Sequence, residues 1–177
     1  MTDSEIGEYI GNSVGACLPL IVAVVGALIT VAVRKPTAPG GRLEIWIRWW
    51  FGAGMTLLAL QVAVYEILLP HEFALALGYQ YSPSEIEEAA ANVGWAILGI
   101  GAIWLDQRAR WWIMSAYGVF LYIDLINHLV NFAQGDVAVG NVGGTWVYDG
   151  LYPIVGLLLL WAAQRRPRRR TRETQTA

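Results

Sequence analysis

Four residues able to do chemistry share one helical spacing: Asp124, Asn127, His128 and Asn131 stand at i, i+3, i+4 and i+7. In a helix this spacing puts all four on one face. A carboxyl and an imidazole one turn apart form a proton-handling unit, and neighbouring amides can hold a polar group beside it. A second set lies earlier in the chain, where Glu85, Glu88 and Asn92 share a face and Trp95 follows. Glu66 stands beside Tyr65, Tyr122 precedes Asp124, and Asp149 stands three residues before Tyr152. The pattern suits general acid–base chemistry, with Asp124, His128, Glu88 and Glu66 as catalytic candidates. Asn92, Asn127, Asn131, Trp95, Tyr65, Tyr122, Asp149 and Tyr152 are the candidates for binding.

The elements that must position these residues are apolar. The chain has 177 residues, of which 56% are hydrophobic, and a mean hydropathy of +0.45, too apolar for an ordinary soluble domain of its size. Stretches near residues 12–33, 49–69, 83–105, 111–133 and 147–163 are each long enough to cross a hydrocarbon core, which takes roughly 17–25 helical residues. The expected fold is all-α, a multi-pass membrane bundle of five transmembrane helices. All twelve Lys and Arg residues then fall on one side: Arg34, Lys35, Arg42 and Arg48 after the first span, Arg108 and Arg110 after the third, the rest after the fifth. Short basic loops stay cytoplasmic, which sets the N-terminus outside and the C-terminus inside, in a plasma membrane. Trp46, Trp49, Trp50, Trp104, Trp111, Trp112 and Trp161 cluster at that same level as an aromatic belt. Residues 1–164 read as one transmembrane domain and 165–177 as a basic, disordered tail that anchors the topology, with contact to anionic lipid as the alternative. The segment before the first span carries Asp3, Glu5 and Glu8 and no basic residue, unlike a cleaved signal.

Burial makes the polar residues expensive. A charged side chain at mid-span costs about 2.5–3.5 kcal/mol on insertion scales, so such groups face a protein interior or a wet cavity. Asp124 follows Trp111 by thirteen residues, about 20 Å of helical rise, and so sits in the half of the span away from the basic loops. Glu66, Glu88, Asn92 and Asp149 share that bias. The simplest arrangement is one polar cavity among four helices, with Glu66 and Asp149 near its mouth. The alternative is purely structural: Asn, His and Asp in spans cross-link helices by hydrogen bonds worth about 0.6–2 kcal/mol each. A metal site of His128, Asp124 and Glu88 is a sparse donor set, so neither metal nor cofactor is expected. The single Cys17 excludes a cysteine cluster. No phosphate loop, dinucleotide fingerprint or nucleophile elbow occurs, and no nucleic-acid partner is expected.

Two connections carry turn chemistry. Phe73, Ala76 and Leu77 space one apolar face of a short interfacial helix that Gly78 stops. Ser82, Pro83 and Glu85 then read as a capping box, with Ser84 and Glu87 as the alternative frame, which makes at least one of these carboxylates structural. Gly140 and Asn141 suit a tight turn before the last span.

From Glu66 to Pro153 the chain resembles a family of small bacterial multi-span membrane proteins, a domain of unknown function. The resemblance rests on Glu66, Pro70, Ala74, Gly78-Tyr79, Ser82-Pro83, Glu87, Ala91-Asn92, His128, Gly140-Asn141-Val142-Gly143, and Asp149 with Pro153. It departs from the family where Glu66 replaces a usual His and where Ser84-Glu85 replace Phe-Gln-type residues. The resemblance implies architecture and pocket residues, and no chemistry.

The expected function is a membrane-embedded enzyme using acid–base chemistry, of isomerase or cyclase type, on a lipophilic substrate. A desolvated carboxylic acid would supply the proton and aromatic faces would steady a cationic intermediate. The alternatives are a small proton- or ion-coupled carrier and a non-catalytic membrane subunit. Expected partners are membrane lipid, a lipophilic small molecule and a further copy of the chain. Apolar inner halves of the helices speak against a continuous path and so against a carrier.

Overall fold

The computed structural model of the protein describes residues 3–78, 80–135, 138 and 142–165, with side chains from Val14 onward. Tyr79, Gly140, Asn141 and the basic tail past Arg165 lie outside the described residues. Every regular element among the described residues is helical: α1 (Asp3–Arg34), α2 (Gly41–Trp49), a π-helical turn (Trp50–Met55), α3 (Thr56–Leu68), α4 (Pro70–Ala76), α5 (Glu85–Gly101), α6 (Gln107–Ala133) and α7 (Gly144–Gln164).

Four helical stretches are long and apolar enough to cross a membrane: Val14–Arg34, the continuous rod Gly41–Leu68, Gln107–Ala133 and Gly144–Gln164. The protein is thus a multi-pass helical membrane protein. Of the five expected spans four have this length; the remaining one, α5, has only 17 residues. Its start is displaced from residue 83 to Glu85, and its end from 105 to Gly101 by a turn before Asp106.

Contacts along the helices define two ends of the bundle. At one end, Trp49 Nε1 of α2 donates to Thr30 Oγ1 of α1 at 2.9 Å, Arg110 of α6 pairs with Glu44 of α2, and Gln107 Nε2 donates to the Leu160 carbonyl of α7 at 2.7 Å. This is the basic end. At the other, Gln61 Nε2 reaches the Gly15 carbonyl at 3.2 Å, and Asn92 of α5 meets Glu66 of α3. This is the acidic end. The helices therefore run antiparallel in sequence, and α5 descends from Asn92, level with Glu66, to Ala102, level with Arg110.

Proline and the π turn fix local register. Pro19 lies inside α1 and has no N–H for the carbonyl four residues back, which is Gly15; Gln61 supplies the missing donor. The π turn is Trp-Phe-Gly-Ala-Gly-Met, and its wider winding turns carbonyls away from the helix axis. Tyr152 Oη donates to the Trp50 carbonyl at 2.7 Å and Tyr148 Oη to the Gly54 carbonyl at 2.8 Å. Gly54 is needed there, since a Cβ would stand 2.7 Å from Tyr152 Cε2. Trp50, Tyr152 and Tyr148 stack face to face with centroids 5.0 and 4.8 Å apart. Phe51, Met55, Met114, Tyr117 and Leu160 close the core around them.

The short connecting helix α4 follows its sequence expectation, with Pro70 at its start and Gly78 in the left-handed region at φ 85°. The capping box is half formed. Glu85 Oε1 accepts from the Ser82 backbone N–H at 3.0 Å, while the helix itself begins after Ser84.

Candidate functional site

The acidic half of the bundle holds a cavity of about 690 Å³ between α1, α3, α4, α5, α6 and α7. α6 contributes Asp124, Asn127 and His128, the three residues that its helical spacing puts on one face. α5 contributes Glu85, Glu88 and Asn92, and α7 contributes Asp149. Apolar and aromatic wall comes from Leu58, Val62, Tyr65, Phe73, Tyr117 and Phe120. Tyr117, Leu121 and Tyr148 of the buried core also line it.

Polar partners on the wall are unevenly shared. Asn92 is buried and donates through Nδ2 to Glu66 Oε2 at 3.3 Å. His128 Nε2 lies 3.9 Å from Asp149 Oδ2, too far for a hydrogen bond. The carboxyl facing the imidazole across the helix interface is thus Asp149 of α7, where the sequence alone pairs His128 with Asp124. Asp124 stands within electrostatic reach of both Glu88 and Asp149. Two carboxyl oxygens, Glu85 Oε2 and Asp149 Oδ2, are shielded from solvent and have no hydrogen-bond partner. Glu85 and Asp149 are only 4% and 5% exposed.

Several candidates stand elsewhere than expected. Glu66 is 2% exposed and sits behind Asn92, off the cavity wall, rather than at the mouth. Asn131 shares the α6 face but lies one turn beyond the cavity rim, so it is not a wall residue. Trp95 packs behind the wall against Tyr117 and Phe120, with centroids 5.2 and 5.9 Å away. Tyr122 points to the Gly150 carbonyl at 3.5 Å, and Tyr152 is a core residue bonded to the π turn. Of the four aromatics expected to line the cavity, Tyr65 alone does so, stacked on Phe73 at 5.9 Å.

The capping-box motif accounts for one oxygen of Glu85. Its second oxygen is buried without a hydrogen bond, which the motif does not reveal. Tyr117 and Gln61 are further wall residues that do not stand out among the sequence candidates. Their signal is weak but present: Tyr117 lies seven residues before Asp124 on the same α6 face.

Among the described residues no group of three or more His, Cys, Asp or Glu side chains is arranged to hold a metal ion. What the site can do follows from its donors and acceptors. It presents carboxyls, one imidazole and amides in a partly desolvated space with no Lys or Arg on the wall. Like charges gathered there must take up protons or a cation.

Residues 14–169 match a family of unknown function (DUF6790), and the chain belongs to that family. The match extends past both ends of the stretch from Glu66 to Pro153 and takes in all four of the long apolar helices. No curated protein matches the chain, and no solved structure does.

Proposed function

We propose that the protein is a membrane-embedded enzyme that applies acid–base chemistry to a lipophilic substrate held in the acidic-end cavity. The observation that carries this reading is the meeting of Glu88, Asp124, Asp149 and His128, from three helices, on the wall of one cavity that also has apolar surface. Helix cross-linking alone needs paired groups, and here two buried carboxyl oxygens are unpaired. One carboxylic acid adds a proton to a carbon of the substrate double bond. A second carboxylate, or His128, removes a proton from a neighbouring carbon. The result is an isomerised or cyclised product with no co-reactant. The wall aromatics Tyr65, Phe73 and Phe120 flank the transient positive charge.

The same proposal includes a fifth membrane crossing by α5, with the acidic end outside the cell. Its 17 residues rise about 25 Å, within reach of a hydrocarbon core of about 30 Å. With four crossings the basic residues would scatter to both faces; with five they share one, as the positive-inside rule requires. Thiol labelling of Gln134→Cys on a Cys17→Ser background tests this. Labelling in intact cells is expected; labelling only after permeabilisation would exclude the topology.

The chemistry can be tested while the substrate is still unidentified. Membranes carrying the protein are incubated in heavy water, and their lipids are compared by mass spectrometry with membranes carrying Asp124→Asn or Glu88→Gln. Proton-initiated isomerisation or cyclisation writes solvent deuterium into a carbon–hydrogen bond. A lipophilic species deuterated only with the unaltered protein is expected. If no lipid gains deuterium while all three proteins accumulate equally, the enzyme reading fails and a binding subunit takes its place. The amide keeps shape and most hydrogen bonds while removing the exchangeable acid proton, so the two outcomes separate.

A further inference from the structure

Two seams run beside the cavity, and the bundle treats them differently. α5 packs along α3 and α6 along α7, while α1 with α3 and α5 with α6 touch only briefly. The α1–α3 seam is tied at the level of the cavity, where Gln61 Nε2 donates to the Gly15 carbonyl at 3.2 Å and both residues line the wall. Across the α5–α6 seam the contacts lie lower. Trp95 rests on Tyr117 and Phe120, with centroids 5.2 and 5.9 Å away, and Arg110 reaches the Ala102 and Ile103 carbonyls at the basic end. Above Trp95, Glu88 of α5 and Asp124 of α6 line the same cavity within electrostatic reach, with no hydrogen bond joining them.

The flanks of this gap are small and apolar. Ala91 lies three residues after Glu88 and four before Trp95, on the edge of α5 that turns toward α6, and it is exposed. On α6, Ile123 stands next to Asp124 and is 62% exposed. The depth of the gap fits one leaflet. Tyr117 and His128, at the two ends of the α6 wall, are about 16 Å of helical rise apart, half of a hydrocarbon core of about 30 Å. Phe120, below the gap, follows Trp111 of the basic-end belt by about 14 Å of rise, close to the middle of that core. The gap therefore runs from the mid-plane toward the acidic interface, the reach of one acyl chain.

We infer that the α5–α6 gap is a lateral portal through which the hydrocarbon chain of a lipid in the acidic-end leaflet enters the cavity, over a sill made by Trp95 and Phe120. This rests on the reading of the cavity as a substrate site and of α5 as a crossing, and adds the route and the leaflet from which substrate comes. A chain passing here stays in apolar surroundings from bilayer to cavity, whereas a route through the acidic end would first expose it to water. Inside, the chain lies along Leu58, Val62 and Phe120, which holds the polar part of the lipid at the level of Glu88 and Asp124. The tied α1–α3 seam stays shut.

The test uses the full chain in discs of phosphatidylcholine, part of which carries a diazirine near the methyl end of one acyl chain. After irradiation the adducts are mapped by mass spectrometry. Adducts are expected on Leu58 and Val62, which line the cavity from α3, as well as on Ile126, which is 60% exposed on the outer surface of α6. Ala91→Trp fills the gap and should abolish the Leu58 and Val62 adducts while leaving those on Ile126. Ala90→Trp, about 100° further around α5, should leave all three unchanged. Should Ala91→Trp fail to accumulate, Ala91→Phe takes its place. Adducts confined to Ile126, or Leu58 and Val62 adducts that persist in the plugged variant, would overturn the inference. That result with deuterium incorporation intact would leave an acid–base enzyme whose substrate enters another way. Plug-sensitive adducts without any deuterium incorporation would uphold the portal and remove the chemistry.

Discussion

The basic half and the acidic half of this bundle bury charge in opposite ways. In the basic half, Arg110 is 4% exposed, yet all three of its guanidinium nitrogens are engaged. Nε donates to the Ala102 carbonyl at 2.7 Å, one Nη donates to Ile103 at 2.9 Å, and both Nη atoms fork onto Glu44. Those carbonyls belong to the end of α5, so the same side chain caps a helix and ties α6 to α2. In the acidic half, the carboxyls of α5, α6 and α7 converge with no guanidinium or ammonium among them; Asp149 faces only His128, at 3.9 Å. The difference separates two meanings of a buried charge. A completed network holds the fold, and an incomplete one awaits something from outside.

That contrast can be broken most sharply at Arg110. Arg110→Met keeps much of the volume but strands two carbonyls and leaves Glu44 with Arg48 alone, and should destabilise the protein by about 3 kcal/mol, the low end for a broken buried pair because Glu44 keeps Arg48 and some solvent. Equilibrium unfolding in detergent micelles reads this. A loss below about 0.5 kcal/mol, the range of ordinary surface changes, would mean that the basic half is not held by this network.

Close packing is the next largest effect. Gly99→Ala would put a Cβ 2.6 Å from Thr56 Oγ1 and 3.2 Å from the Phe51 carbonyl, where α5 crosses the π turn. A cost of about 2 kcal/mol is expected from such overpacking, measured in the same unfolding assay. Gly94→Ala on the same helix meets nothing within 4 Å and serves as the neutral reference.

Tyr148→Phe removes the donor from the Gly54 carbonyl and the hydroxyl that Tyr117 interacts with, and should cost about 1 kcal/mol, with the stacking on Tyr152 kept. The smallest effect is expected in the acidic half. Asp149→Asn removes a buried charge that has no hydrogen bond at one oxygen, so stability should change by less than about 0.5 kcal/mol or rise slightly, although substrate chemistry is lost. If Asp149→Asn instead destabilised as much as Arg110→Met, the acidic cluster would be part of the scaffold.

Much of this contrast is legible in the sequence, and the rest is hidden for identifiable reasons. Apolar length locates the long helices, and the spacing of Asp124, Asn127 and His128 gives the cavity face of α6. Periodicity gives an angle around a helix but not a height against its neighbours, so it cannot tell that Asn131 lies one turn too far. Asp149 and Tyr152, three residues apart, look like one site; that step of about 60° turns Tyr152 into the core. The Glu44–Arg110 pair joins residues 66 positions apart, and both stand in segments whose pattern speaks only of topology. The π turn leaves no mark on a pattern of period 3.6 beyond the two glycines that permit it. The shortness of α5 is masked at its ends: residues 102–105 are apolar but turn away from the helix, closing the connection that Arg110 then caps.

Both halves can be interrogated in one experiment, with a lipophilic carbodiimide that adds to carboxyl groups reached from an apolar phase and not held by a cation. The protein in native membranes is treated, digested and mapped by mass spectrometry. Modification at Glu88 or Asp124, with Glu44 left intact by its arginine fork, is the predicted result. Modification of Glu44 to the same extent, or of no carboxyl at the cavity, would contradict the claim that the acidic half is an open, unpaired site.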